Sequence, residues 1–226
     1  GDPGVPLERI RADIEVDELA VLLDAPGRPV VHQRSERCGG VRQLPLGPAP
    51  LEARVDAVAA RGRGHRNADR VLYALSQAAN HSLLWHGINM VDAVVGGAAR
   101  GPEHRRRALR RSAVLAVEQA LVNGPVKSLF RRRRPEAVAD HPHQLRTPQT
   151  SSFPSGHASA GACAATLLSR DLGVAPLWWT LAAAVSWSRV HVGVHHGSDL
   201  VGGAALGAAL GRLSTSVWPP RVPSEV

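Results

Sequence analysis

Lys127 and Arg134, with six residues between them and Pro135 directly after, offer two fixed cations to a single ligand. Downstream stand Pro154-Ser155-Gly156-His157, then Ser188-Arg189, with His195 after five intervening residues and Asp199 after three more. The three blocks supply three cations, two imidazoles, a carboxylate and a glycine-bearing turn. Such a set can hold a tetrahedral oxyanion and attack it.

Each block has a chemical reading and a plainer one. His195 and Asp199 are four apart at an expected helix start, which places both side chains on one face. A carboxylate on one ring nitrogen fixes the tautomer, leaves the other nitrogen nucleophilic and stabilises the imidazolium. Taken alone, such a pair is more often structural. Ser155-Gly156-His157 opens an expected helix, where free N–H groups bind oxyanions and glycine admits a ligand close to the backbone. Ser155 adds a hydroxyl, and His157 there can protonate a departing alkoxide. The plainer reading is an ordinary first turn with a surface histidine. Lys127, Arg134 and Arg189 suit phosphate oxygens, since arginine pairs bidentately and stays charged. Arg131, Arg132 and Arg133 are read instead as a solvated basic run or a membrane-surface anchor.

The elements that must position these groups are helices. From Asn67 onward the chain is rich in Ala, Leu, Val and Gly. Helices are expected over 68–99, 103–130, 157–171, 176–188 and 198–213, which makes an all-α bundle with its site at one end. Pro176 suits a first turn, and Asp199 favours a helix N-terminus. Gly202, Gly203, Gly207 and Gly211 recur about once per turn, a spacing that lets helices approach closely. Residues 1–66 read as an extension rich in Pro, Gly and charge. It holds short helical candidates at 17–23 and 50–60 and a hairpin near Val30 and Val41. The helical domain is placed at 67–216 and a tail at 217–226.

Membrane insertion stays open at this level. No stretch reaches the about 20 uninterrupted apolar residues of a simple spanning helix, and the mean hydropathy is −0.11. Yet Arg100, Arg105, Arg106, Arg107, Arg110 and Arg111 gather as in a cytoplasmic loop. That reading puts every chemical block on the opposite, extracytoplasmic face. No signal peptide is legible, because the first apolar run, 19–23, is too short.

Bulk properties agree with an anionic partner. The 226 residues carry a formal charge of +8, and the isoelectric point is near 11.1. Nucleic acid is disfavoured, with aromatics at 4% and no zinc-finger or stacking motif. Cys38 and Cys163 lie in unlike contexts, so no disulfide framework is expected.

All three blocks in order, with Lys127, Arg134, Pro135, Pro154, Ser155, Gly156, His157, Ser188, Arg189, His195 and Asp199 in place, resemble the type 2 phosphatidic acid phosphatase superfamily. That superfamily also takes in class A acid phosphatases and vanadium haloperoxidases. The resemblance runs over about 68–213. It implies a helical core and hydrolysis through a phosphohistidine, without metal or other cofactor. His195 would be the nucleophile held by Asp199, and His157 the leaving-group acid. Lys127, Arg134, Arg189, Ser155 and Gly156 would cradle the phosphoryl oxygens. His191, His196 and Gly197 depart from the residues frequent in relatives. The histidines at 191, 195 and 196 also admit a metal-site reading. No second ligand-spaced cluster accompanies them, although His141 and His143 are near. The leading expectation is a membrane phosphatase acting on a phosphate monoester or diphosphate of phosphatidate-like lipids or polyprenyl phosphates. A soluble acid phosphatase, a vanadium haloperoxidase and a non-catalytic phosphate-binding membrane protein stand as alternatives.

Overall fold

The structure is a computed structural model and describes residues 50–135 and 150–219. The expected helix at 17–23, the hairpin near Val30 and Val41, Cys38, His141, His143 and the end of the tail lie outside the described residues. Those that are described fold into helices without strands. In chain order these are α1 (Pro50–Gly62), α2 (Arg66–Ala78), α3 (Leu83–Val91), α4 (Gly97–Arg100) and α5 (Pro102–Leu121), followed by α6 (Gly156–Leu172), α7 (Ala175–His191) and α8 (Gly197–Val217).

Local signals set most of the boundaries. Pro102 and Pro176 occupy first turns, where a missing N–H costs nothing. Ser155 caps α6 by accepting from the Ala158 N–H. Gly173, at φ +73°, ends that helix. His196 and Asp199 form a reciprocal capping box at the start of α8.

Helix α6 is the axis of the bundle, with Ala158, Ala160, Ala162, Cys163, Ala165, Leu167 and Leu168 all buried. Its small side chains let α5, α7 and α8 pack around it. The glycines of α8 form the closest seam. A Cβ at Gly203 would stand 2.4 Å from the Ser155 carbonyl oxygen, and one at Gly207 only 1.9 Å from that of Ser159. Trp85, Leu115 and Val185 fill the opposite side of the core.

Two expected helices are interrupted. The helix foreseen over 68–99 breaks at a 3₁₀ turn, Asn80–Ser82, where His81 (φ 49°) and Ser82 (φ 60°) adopt left-handed backbone. Neither is glycine, and each such residue costs about 1 kcal/mol or more. Tertiary bonds hold the turn: Gln119 donates to the Ser82 hydroxyl at 2.7 Å. The helix foreseen over 103–130 passes into a π turn at Val122–Val126, which carries Pro125 and a non-helical Gly124. Proline cannot continue the hydrogen-bond ladder, so the backbone widens and re-aims Lys127.

The basic segment also differs from its reading as one loop. Arg110 and Arg111 lie inside α5 and are buried. Arg111 pairs with Asp171 at 2.8 Å and with Asp92, and donates to Asn89 at 2.9 Å. Arg110 donates to the carbonyls of Trp218 (2.6 Å) and Ser214 (3.0 Å). Charge counted along the sequence did not reveal these interior partners.

Among the described residues one helix, Gly197–Val217, is long and apolar enough to cross a membrane. Large apolar side chains also face outward on α3 (Met90, Val91), α5 (Val117, Leu121) and α7 (Leu177, Trp179).

The α6–α8 seam yields a direct test. Gly207→Ala should destabilise the bundle by about 1–3 kcal/mol through overpacking, read as a drop of several degrees in the thermal unfolding midpoint. An unchanged midpoint would contradict so close an approach.

Candidate active site

Four separate pieces of backbone converge at one end of the bundle. They are the segment after α5, the turn leading into α6, the end of α7 and the start of α8. A tight turn after α7 brings His195 back, with Val194 N–H and His195 N–H both donating to the Arg189 carbonyl at 3.1 and 3.3 Å. Gly193, at φ +73°, permits that reversal. The Ser155 N–H donates to the Asp199 carbonyl at 3.0 Å, which seats the α6 turn against the α8 turn.

His195 lies outside α8 rather than on its first turn, so the pair expected from helical spacing is made by the turn instead. Its Nδ1 stands 3.4 Å from Asp199 Oδ2, and its Nε2 stands 3.4 Å from an Arg134 nitrogen. Asp199, when ionised, can only accept and arginine can only donate. The proton therefore belongs on Nδ1, and the Nε2 lone pair faces Arg134. Burial pushes the His195 imidazole down to about 4; the bond to Asp199 opposes this, while Arg189 and Arg134 add to it. At neutral pH the ring is a free base.

Neutral groups accept from two of the cations. Arg134 donates to the Val194 carbonyl at 2.9 Å and to the Thr150 and Ser151 carbonyls at 3.3 Å. Arg189 is buried and donates to the Ser76 hydroxyl, while its Nε has no partner. Lys127 is within electrostatic reach of Arg134, Arg189 and Asp199.

His157 stands beside Arg189, His195 and Lys127, and its Nε2 lies 3.1 Å from Asn80 Oδ1. The Asn80 amide nitrogen donates to Gln77 at 2.6 Å, which fixes the amide oxygen toward the ring. His157 Nε2 thus carries a proton, as a donor must. Ser155 serves as helix cap, and the missing side chain of Gly156 makes room for Asn123, whose Oδ1 would lie 2.7 Å from a Cβ there.

Several of these partners escaped the sequence reading. Ser76, Asn80 and Asn123 are ordinary polar residues without a diagnostic neighbour. Arg132 is a correction, because its reading as part of a solvated run does not hold. It bonds Asp199 Oδ1 and Glu52 at 2.7 Å each, and Ser198 also donates to Glu52. A run of four arginines conceals which one turns inward. The neighbouring histidines separate too: His191 pairs with Asp69 at 2.7 Å, and His196 reaches Asp56 at 3.4 Å. Among the described residues no three His, Cys, Asp or Glu side chains gather around a common point.

An all-helical bundle whose end collects three cations around a carboxylate-bound imidazole has the make-up of an enzyme for phosphate esters. The PAP2 superfamily model matches residues 108–223. Decaprenylphosphoryl-5-phosphoribose phosphatase of Mycobacterium tuberculosis is 37% identical over 146 residues, covering 63% of this chain and 76% of that protein. The transmembrane PAP2 type phosphatidylglycerolphosphate phosphatase of Bacillus subtilis shares the fold, with a TM-score of 0.61 and 22% identity over 77% of this chain and 88% of the other. LpxE of Aquifex aeolicus does so as well, with a TM-score of 0.58 and 20% identity over 76% of this chain and 98% of the other. The chain belongs to the PAP2 superfamily, and it is a phosphatase.

The contact between Arg132 and Asp199 bears on His195 directly. Removing a cation from Asp199 strengthens the pull of that carboxylate on an imidazolium. In Arg132→Met, with Arg134, Arg189, Lys127 and His157 unchanged, His195 should titrate about one pH unit higher. An NMR titration of the ring would check this. A midpoint that stays or falls would show that Arg132 does not balance the pair.

Proposed function

We propose that this chain hydrolyses a phosphate monoester carried by a lipid, of the polyprenyl-phosphate kind, through a phosphohistidine on His195 and without a metal ion. The observation that carries the reading is the bare Nε2 of His195, which faces Arg134 while Asp199 secures the other ring nitrogen. In this reaction Nε2 attacks phosphorus and the bond to the leaving oxygen breaks. His157 takes up the proton of the entering phosphate monoanion and passes it to the departing alkoxide, so that its Nε2–H stays on Asn80 Oδ1. Water then attacks the phosphohistidine, giving a proton back to His157 and releasing inorganic phosphate. Lys127, Arg134 and Arg189 neutralise the equatorial oxygens, and this accounts for most of what phosphoryl transfer asks of a protein. Ser155 and the N–H groups at the start of α6 add donors.

The lipid part of the proposal rests on the relative that acts on a decaprenyl-linked phosphate and on the outward apolar faces of α3, α5, α7 and α8. A surface that apolar needs a covering, and acyl chains supply one. Arg100, Arg105 and Arg106 stay exposed near the other end. By the preference of basic residues for the cytoplasmic side, the reaction centre then faces outward from the cell.

Two substitutions test the roles. His195→Ala should lower phosphate release at least about 10³-fold, because no other nucleophile is placed to form the intermediate. Activity within tenfold of the unsubstituted enzyme would remove His195 from the role. His157→Ala should slow hydrolysis of an alkyl phosphate at least about tenfold more than that of an activated aryl phosphate. Equal losses on both would mean that His157 is not the leaving-group acid.

A further inference from the structure

Toward the end of the bundle away from the reaction centre, α6, α7 and α8 leave a groove of about 370 Å³, lined by Thr166, Ser169, Arg170, Trp179, Arg212 and Thr215. Ser169 lies 13 residues beyond Gly156 on α6, so at about 1.5 Å per residue the groove is roughly 20 Å from the phosphate cup. It is a separate place on the molecule.

Its chemistry is that of an anion site. Arg170 and Arg212 come from different helices to the same cleft, and neither has a carboxylate partner among the described residues. Asp171, next to Arg170 in sequence, is taken by Arg111 at 2.8 Å. Both side chains are exposed, so the two guanidinium groups are open to an anion arriving from solvent. Hydroxyls complete the lining: Arg170 donates to Thr215 Oγ1 at 3.3 Å, and the buried Ser169 Oγ has no partner at all. The lining also includes the Trp179 indole, 39% exposed, and Leu177, Leu213 and Val217 are exposed elsewhere on the same two helices.

We propose that this groove binds the phosphate headgroup of an anionic phospholipid, on the membrane face opposite the reaction centre. The two arginines take the phosphate oxygens in forked pairs. The unpartnered Ser169 hydroxyl donates to a remaining headgroup oxygen. The acyl chains lie along the exposed apolar residues of α7 and α8. Trp179 sits at the polar–apolar boundary that indoles favour. Basic clefts between helices on one membrane side are suited to such headgroups. Free phosphate shares the headgroup chemistry but gains nothing from Trp179 or from the exposed apolar residues of α7 and α8. The occupant therefore brings a phosphate and chains together. This assignment rests on the membrane reading made above, but not on His195 chemistry.

The test uses the full chain in nanodiscs. Incorporation into discs of pure phosphatidylcholine examines the membrane reading alone. Native mass spectrometry in mixed discs then compares retained phosphatidylglycerol with phosphatidylcholine. The unsubstituted protein should prefer phosphatidylglycerol at least tenfold. Arg170→Gln with Arg212→Gln should reduce that preference to within twofold of none. The paired lysine substitutions should keep most of it, and turnover of a soluble aryl phosphate should stay within twofold in both. A preference that survives the glutamine pair overturns the site. So does inorganic phosphate that binds the groove of the lipid-free protein and displaces phosphatidylglycerol at millimolar concentration. Failure to enter phosphatidylcholine discs would instead overturn the membrane reading. A lipid preference without phosphatase activity would leave the groove standing and remove the catalytic proposal.

Discussion

Like charges held together in a pocket of low polarity are the constraint on which the rest of this bundle depends. Lys127, Arg134 and Arg189 stand within electrostatic reach of one another, with Asp199, already bonded to Arg132, and the buried Glu118 as nearby carboxyl groups. Neutral oxygens accept from the guanidinium groups: the Val194, Thr150 and Ser151 carbonyls from Arg134 and the Ser76 hydroxyl from Arg189. Cations fixed before the substrate arrives stabilise charge as it develops, which is how a preorganised site lowers a barrier. An anionic phosphate ester relieves the repulsion on entering, so binding and catalysis draw on the same imbalance.

Such a cup must be rigid, and its rigidity comes from helix packing. The glycines of α8 bring its backbone onto that of α6, so the turn bearing Ser155 and the turn bearing Asp199 are locked together. On the other side Arg63, between α1 and α2, donates to the carbonyls of His191 (2.7 Å) and Val190 (2.9 Å). Glu52 of α1 reaches the site through Arg132. Helix α1 thus braces the same turn that α8 supports. Close packing converts these contacts into a position for His195, since cores and seams shift in discrete steps rather than by easy deformation.

How far the sequence reveals this depends on what kind of fact is asked for. The cations, imidazoles and carboxylate are legible because phosphate chemistry restricts residue type and order, and the helices are legible from composition, proline and capping residues. Asn80 was not, since an asparagine reveals nothing until a break in the helix turns it toward His157. That break, at His81 and Ser82, carries no glycine or proline to announce it; tertiary bonds override the local preference. Arg132 is hidden among identical neighbours, and Arg110 and Arg111 resemble loop residues in sequence because their acceptors lie far away in the chain. Long-range polar pairing was the part that residue type alone did not carry.

Orthovanadate mimics the five-coordinate phosphorus of the transfer, so a crystal structure with it bound examines the convergence of the cup in one step. The account predicts vanadium bonded to His195 Nε2, its oxygens on Lys127, Arg134 and Arg189, and its apical oxygen facing His157. Vanadate bound elsewhere, or bound in the cup with His195 turned away, would contradict it.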